Sequence, residues 1–126
     1  MIRLATVGTG WITDAFLDGV KTVGGIKHWA VYSRKRESAE SFAKKHGAPM
    51  FFTSLQEMAE SPEIDAVYIA SPNALHVPQS RLFLEHGKHV ICEKTVALRR
   101  EQMDELFALA ENNGVVFMEA IMAMHT

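Results

Sequence analysis

MIRLATVGTGWIT, residues 1–13, is the stretch whose reading decides the fold. Ile2 to Val7 reads as a buried strand that runs straight into Gly8-Thr9-Gly10-Trp11-Ile12 and then into a helical pattern. A parallel strand covered on both faces is a short, nearly continuous apolar run, and glycines at its end suit a turn that brings backbone close to another group. A helix starting there presents unpaired N–H groups and the positive end of its dipole, which is a place for an anion such as a phosphate. Gly8 permits the tight turn, and Gly10, without a Cβ, leaves room for a pyrophosphate. The third position of the G-x-G-x-x-G pattern is Thr13, where Gly or Ala would let the helix pack closest to the strand. An ordinary strand-to-helix turn is the competing reading, so the remainder of the chain has to decide.

The chain has 126 residues, 48% of them hydrophobic and 22% charged, which suits one globular domain. A formal net charge of -2 gives no basic face for nucleic acid or an anionic membrane, and neither is expected as a partner. No apolar run approaches the roughly 18 residues of a membrane span. The single cysteine, Cys92, has no internal disulfide partner, and the chain opens directly into a strand, so a cytoplasmic location is expected. His28, His46, His76, His86, His89 and His125 are scattered without the spacing of a metal knuckle, and no metal is expected.

Beyond the glycine turn, Ile12, Ala15, Phe16, Gly19 and Val20 fall on one helical stripe, and Gly24-Gly25 ends it. Ile26 to Tyr32 reads as a second strand, and a helix carrying Ala39, Phe42 and Ala43 inward stops at Gly47. Pro49 to Phe52 is a short strand, and Ser54-Leu55-Gln56-Glu57 is a capping-box sequence that opens a short helix. Ala66 to Ala70, His89 to Cys92 and Val115 to Ile121 read as strands four to six. Between them lie a helix with Pro78 in its first turn, ending near Gly87, and a long one with Met103, Leu106, Phe107 and Ala110 on one face. Alternating strands and helices without hairpin signals predict an α/β, doubly wound parallel sheet: a Rossmann fold of six strands in the order 3-2-1-4-5-6 with helices on both faces.

Ligands of such sheets bind beyond the carboxyl ends of the strands. After strand two, where an acid would favour NAD, stand Ser33, Arg34, Lys35 and Arg36. No carboxylate repels a 2′-phosphate there and a guanidinium pairs with one, which reads as NADP preference with NAD possible; a solvated basic turn is the plain alternative. After strand four, Ser71, Pro72, Asn73 and His76 are placed to border the pyrophosphate and nicotinamide, although His76 before Pro78 equally suits a side chain that ties down the turn. Ser71 has no general base nearby in sequence and is not read as a nucleophile. After strand five come Cys92, Glu93, Lys94 and Thr95. A lysine near a reacting carbonyl can move a proton to the oxygen, and Glu93 can accept from a ribose hydroxyl. Cys92 reads as a small buried hydrophobe.

Taken together, Gly8 to Ile12, Ser33-Arg34, Ser71-Pro72-Asn73 with His76, Glu93-Lys94 and Glu119-Ala120 resemble the Gfo/Idh/MocA oxidoreductase family over the whole chain. The resemblance implies the N-terminal NAD(P)-binding domain, residues 1–126, of a sugar, cyclitol or dihydrodiol dehydrogenase. It further implies that Gly8, Thr9, Gly10, Trp11, Ile12, Ser33, Arg34, Ser71, Pro72, Asn73, His76, Glu93 and Lys94 hold the cofactor, with Glu93 on the nicotinamide ribose. Lys94 is implied as the catalytic proton donor or acceptor, and the Ser33-Arg34 pair is similar to the NADP-preferring branch. A C-terminal domain is expected outside this chain, which in the parent builds the pocket for a polyol- or sugar-like substrate and makes the contacts of a homo-oligomer. The isolated domain is expected to be inactive, with the apolar surface that the missing domain covers left exposed. The family's proline after the Glu-Lys pair, often preceded by a cis peptide, is here Thr95. A non-proline cis bond costs about 2.5–4 kcal/mol, so either this peptide is trans with Lys94 aimed differently or its surroundings hold a strained turn.

Two other functions compete. A non-catalytic dinucleotide sensor of the same fold accommodates Thr95 but leaves Glu93-Lys94 without a use. A nucleoside-binding methyltransferase shares the glycine turn, yet expects a ribose-binding acid where Ser33 stands and does not explain Glu93-Lys94.

Overall fold

The computed structural model describes residues 1–94, 96–97 and 99–120. Six parallel strands, β1 (Ile2–Val7), β2 (Ile26–Tyr32), β3 (Met50–Phe52), β4 (Ala66–Ile69), β5 (His89–Glu93) and β6 (Phe117–Ala120), form one sheet in the order β3-β2-β1-β4-β5-β6. Helices α1 (Trp11–Val20), α2 (Arg36–His46), α3 (Leu55–Glu60), α4 (His76–Glu85) and α5 (Arg100–Asn112) connect them, with a 3₁₀ turn at Asn73–Leu75. The expected doubly wound topology is therefore the observed one. The strand order reverses at β1, whose neighbours are β2 and β4, and this switch point is where an open α/β sheet holds its ligand.

Side chains alternate across the sheet and divide the core in two. Ala5 and Val7 of β1, Val67 and Ile69 of β4, and Val90 and Cys92 of β5 pack with Phe83, Leu84, Leu106 and Ala110 on the face covered by α3, α4 and α5. Leu4, Val31, Ala66 and Tyr68 pack with Leu17, Val20, Phe42 and Ala43 on the face covered by α1 and α2. The second cover is the smaller one. Beside α1 an apolar groove of about 260 Å³ opens over Ile2, Ala66, Ile91, Val116 and Met118.

Local chemistry accounts for the element boundaries. Gly47 ends α2 in the left-handed conformation (φ 71°), which releases the chain into β3 one residue after Pro49. The Ser54 side chain accepts from the Glu57 backbone N–H at 3.2 Å and opens α3. The strand over Ala66 closes at Ile69 rather than Ala70, and β5 runs one residue further than expected, to Glu93. The last strand is shorter than the expected Val115 to Ile121, and Ile121 itself lies outside the described residues.

Two helix faces differ from expectation. In α1 the buried residues are Thr13, Leu17 and Val20, and Gly19 is exposed, so the helix is rotated by about one residue from the stripe through Ile12, Ala15 and Phe16. Close contact of the first turn with the glycine loop forces this: Thr13 is fully buried, and its Oγ1 lies 3.5 Å from where a Cβ on Gly8 would stand. The third position of the glycine pattern thus accepts threonine inside the helix-strand contact. In α5, Leu106 and Ala110 are buried while Phe107 is half exposed, its ring edge resting on Phe117 at 5.2 Å between centroids.

Candidate functional site

A cleft of about 460 Å³ opens at the carboxyl ends of β1, β2 and β4. Its wall is Val7, Gly8 and Thr9 from the first turn, Tyr32, Ser33, Arg34 and Lys35 from the second, and Ala70, Ser71, Pro72, Leu75 and Gln79 beyond β4. Six residues expected at a cofactor site therefore share one cavity: Gly8, Thr9, Ser33, Arg34, Ser71 and Pro72. Among the described lining residues there are two cations and no carboxylate.

The turn is built as an anion cradle. Gly8 has φ 110°, and a Cβ on it would stand 3.0 Å from the Ala70 carbonyl oxygen, so only glycine fits without displacing backbone. Gly10 is the N-cap of α1 in extended conformation and has no side-chain cap, which leaves the first-turn N–H groups of Trp11, Ile12 and Thr13 directed outward. A Cβ added at Gly10 meets nothing within 4 Å, so the space ahead of the helix is open where a diphosphate would sit. Trp11, with 66% of its surface exposed, does not line the cleft. Across the cleft Lys35 is the N-cap of α2, again without a side-chain cap, so a second helix N-terminus adds to the positive potential of the Ser33–Lys35 turn. These features fit a dinucleotide.

Beyond β4 the loop is held from beneath. His76 is 1% exposed and its Nε2 donates to the Ser71 carbonyl at 2.7 Å, a turn-fastening contact. Ser71 Oγ donates to Gln79 Oε1 at 2.5 Å, which fixes the serine against the first turns of α4. Asn73 faces a different groove, shared with Arg81, Arg99 and Gln102. Neither Asn73 nor His76 lines the 460 Å³ cleft.

Glu93 and Lys94, adjacent in sequence, have opposite environments. Glu93 is buried and accepts from the Tyr68 hydroxyl, whereas the Lys94 side chain is exposed. Both sides of Thr95 are tied to β6: Lys94 N–H donates to the Ala120 carbonyl at 2.8 Å and Val96 N–H to Glu119 Oε2 at 3.0 Å. Thr95 itself lies outside the described residues. Cys92 is fully buried, and burial pushes its thiol up to about 12, which leaves it inert as a nucleophile at neutral pH. Tyr32, Leu75, Gln79 and Tyr68 were not singled out by sequence reasoning; Gln79, three residues after His76 on the same helix, carried the one usable signal.

Residues 2–121 match a family described as an oxidoreductase family with an NAD-binding Rossmann fold. The chain belongs to the Gfo/Idh/MocA oxidoreductase family. It is an NAD(P)-binding oxidoreductase domain of that family. Among Gfo/Idh/MocA relatives it is 53% identical to scyllo-inositol 2-dehydrogenase (NADP(+)) of Bacillus subtilis over 121 residues, covering 96% of this chain and 37% of that protein. It is 35% identical to trans-1,2-dihydrobenzene-1,2-diol dehydrogenase of Xenopus laevis, covering 89% of this chain and 34% of that one. Among solved structures, a 3-ketoreductase from Actinomadura kijaniata in complex with NADP and TDP-benzene superposes with a TM-score of 0.88 at 29% identity, over 94% of this chain and 36% of that one. The chain thus spans little more than a third of the length of these relatives. Among the described residues no helix is long and apolar enough to cross a membrane, and no group of three or more His, Cys, Asp or Glu is arranged to hold a metal ion.

Proposed function

We propose that this chain binds NADP in preference to NAD and serves an oxidoreductase that exchanges hydride with a secondary alcohol of a sugar, cyclitol or dihydrodiol. The observation that carries the reading is the composition of the cleft wall: Ser33, Arg34 and Lys35 stand where an NAD-selective acid would, with no carboxylate among the described lining residues. A 2′-phosphate gains guanidinium and ammonium partners there and the N-terminus of α2, and meets no opposing charge. Two relatives speak for the same chemistry, one named for scyllo-inositol and NADP(+) and one for a dihydrodiol.

In this reading Gly8, Thr9 and Gly10, with the first turn of α1 (Trp11 and Ile12), seat the diphosphate, and Ser71, Pro72 and Asn73 border the path toward the nicotinamide end, with His76 holding their loop. The hydride chemistry belongs to the nicotinamide when NADP is bound. Glu93 accepts from the ribose on that side, and Lys94 gives or takes the proton at the substrate oxygen through its exposed Nζ. The substrate pocket and the oligomer contacts are assigned to a second domain of a longer parent, in line with the length of the relatives.

Fluorescence titration of the chain with NADPH and NADH tests the preference. NADPH is expected to bind about tenfold or more tightly, and Arg34→Asp is expected to reverse the order. Equal affinities in the unaltered chain overturn it.

A further inference from the structure

Glu93 is not a free carboxylate at the edge of the sheet. Tyr68 of β4 and Glu93 of β5 lie on the α1 face of adjacent strands, with Tyr68 opposite Ile91 in register, so Glu93 is its diagonal neighbour two residues along. The Tyr68 hydroxyl donates to Glu93 Oε2. Tyr68 is fully buried, and its ring is stacked on Phe16 of α1 with centroids 3.7 Å apart and planes within 1°. Burial and the neighbouring carboxylate both push the phenol well above its ordinary range, so it remains a proton donor at every pH the protein meets.

This arrangement is costly to explain as packing alone. A phenylalanine fills the same place on Phe16 without burying a hydroxyl, and a buried hydroxyl must find an acceptor. Here the acceptor is the acid that precedes the exposed lysine. A glutamate has three side-chain torsions to immobilise when it meets a ligand, and one that is already held gives up less freedom.

We propose that Tyr68 is a positioning residue for the nicotinamide half of the cofactor: it fixes Glu93 through its hydroxyl and, through its stack on Phe16, ties that acid to the helix whose N-terminus seats the diphosphate. Phe16, Tyr68 and Glu93 form a strut from α1 across β4 to the end of β5. Binding at the diphosphate and binding at the ribose are thereby held in one geometry. The inference rests on the reading of Glu93 as a ribose acceptor given above.

The test titrates the chain with NADPH and, separately, with adenosine 2′,5′-bisphosphate, which lacks the nicotinamide half. Tyr68→Phe keeps the ring and its stack and removes only the hydroxyl. It is expected to weaken NADPH about tenfold while leaving the bisphosphate within about twofold. Glu93→Gln is expected to weaken NADPH selectively as well, and the double variant to be no weaker than Glu93→Gln alone, because Tyr68 acts through Glu93. Phe16→Leu, which keeps the hydroxyl and loosens the ring, is expected to give a smaller selective loss, and it answers the question if Tyr68→Phe does not fold. Equal loss for both ligands in the variant that folds means a structural role and overturns the proposal. So does unchanged NADPH affinity in Tyr68→Phe while Glu93→Gln weakens it, an outcome that leaves the reading of Glu93 standing. If Glu93→Gln itself binds NADPH normally, that reading falls and takes the proposal with it, while Arg34→Asp still reports on the adenosine end.

Discussion

Replacing Gly8 and Gly10 one at a time by alanine separates what the turn does for the fold from what it does for a ligand. At Gly8 the backbone has φ 110° and a Cβ would press on the Ala70 carbonyl at 3.0 Å. A non-glycine residue in so sparsely populated a conformation costs about 1–3 kcal/mol, and a backbone oxygen cannot swing aside as a side chain would, which adds about 1 kcal/mol or more. Gly8→Ala is therefore expected to lose about 3 kcal/mol of stability and, at about 4 °C per kcal/mol for a domain of this size, to melt about 12 °C lower. Gly10 has φ -86° and ψ -175°, ordinary extended backbone, and its Cβ would enter open space. Gly10→Ala is expected to melt within a few degrees of the unaltered chain, since the restriction of the unfolded chain by about 0.4–1 kcal/mol offsets alanine's poorer fit at an N-cap. The added methyl would enter the proposed diphosphate seat, so NADPH affinity is expected to fall by about tenfold or more. Calorimetric melting and fluorescence titration of both variants check the pair. Equal melting of Gly8→Ala and the unaltered chain refutes the strain argument, and NADPH bound normally by Gly10→Ala refutes the seat.

Burial holds His28 down at about 4, against an ordinary 6.5, with His46 contributing further. A neutral group in the folded state and a protonated one in the unfolded state means that stability is complete above pH 6.5 and lost as pH falls toward 4. Unfolding free energies from urea titrations are expected to drop across that window by about 1–3 kcal/mol, and His28→Gln is expected to flatten the drop. Asp14 and Asp65 are lowered by their hydrogen bonds to His46 and Arg3, so their contributions disappear only in stronger acid, below the ordinary carboxylate range. Lys88, 8% exposed, donates from Nζ to the carbonyls of Ser61 at 2.6 Å and Ile64 at 2.8 Å; Lys88→Met is expected to remove both bonds, leaving Ser61 only the long one from the Ile64 N–H at 3.5 Å, and to cost about 2–3 kcal/mol by chemical denaturation. Cys92, buried and with its thiol up at about 12, is expected to resist a disulfide reagent at pH 8 in the native chain and to react at once in denaturant; rapid native labelling would show that the β5 core opens.

Much of the architecture was legible because local signals agree with one another. The apolar run Ile2 to Val7, the glycines after it, Gly47 as a left-handed cap and Ser54 as an N-cap each fix a boundary by a residue type that few others can replace there. The face of α1 was not legible, because Thr13 looks polar in sequence and is buried only by contact with the loop that Gly8 makes. Phe107 looked like core and sits instead at the border of α5, where an aromatic ring covers Phe117 from the side. At the cleft, Gly8, Ser33, Arg34 and Ser71 were legible because a topological switch point gathers the residues that follow β1, β2 and β4. Gln79 and Tyr68 were not, since each acts through a partner brought near by the fold, Ser71 and Glu93 respectively. Within AVYI, a tyrosine is indistinguishable from one more core side chain.

The backbone ties between the Lys94 segment and Glu119-Ala120 have a consequence for timing. β6 is four residues long and, among the described residues, ends the sheet and is bonded on one side only. Strands of that kind fray first, on their own clock, while central strands such as β1 and β4 open only with the whole domain. The Lys94 segment is therefore moored to an edge strand, and the glycine turn, which follows β1, to a central one. Amide exchange should register this as two rates, fast at Lys94 and slow at Ala70, in a single folded molecule.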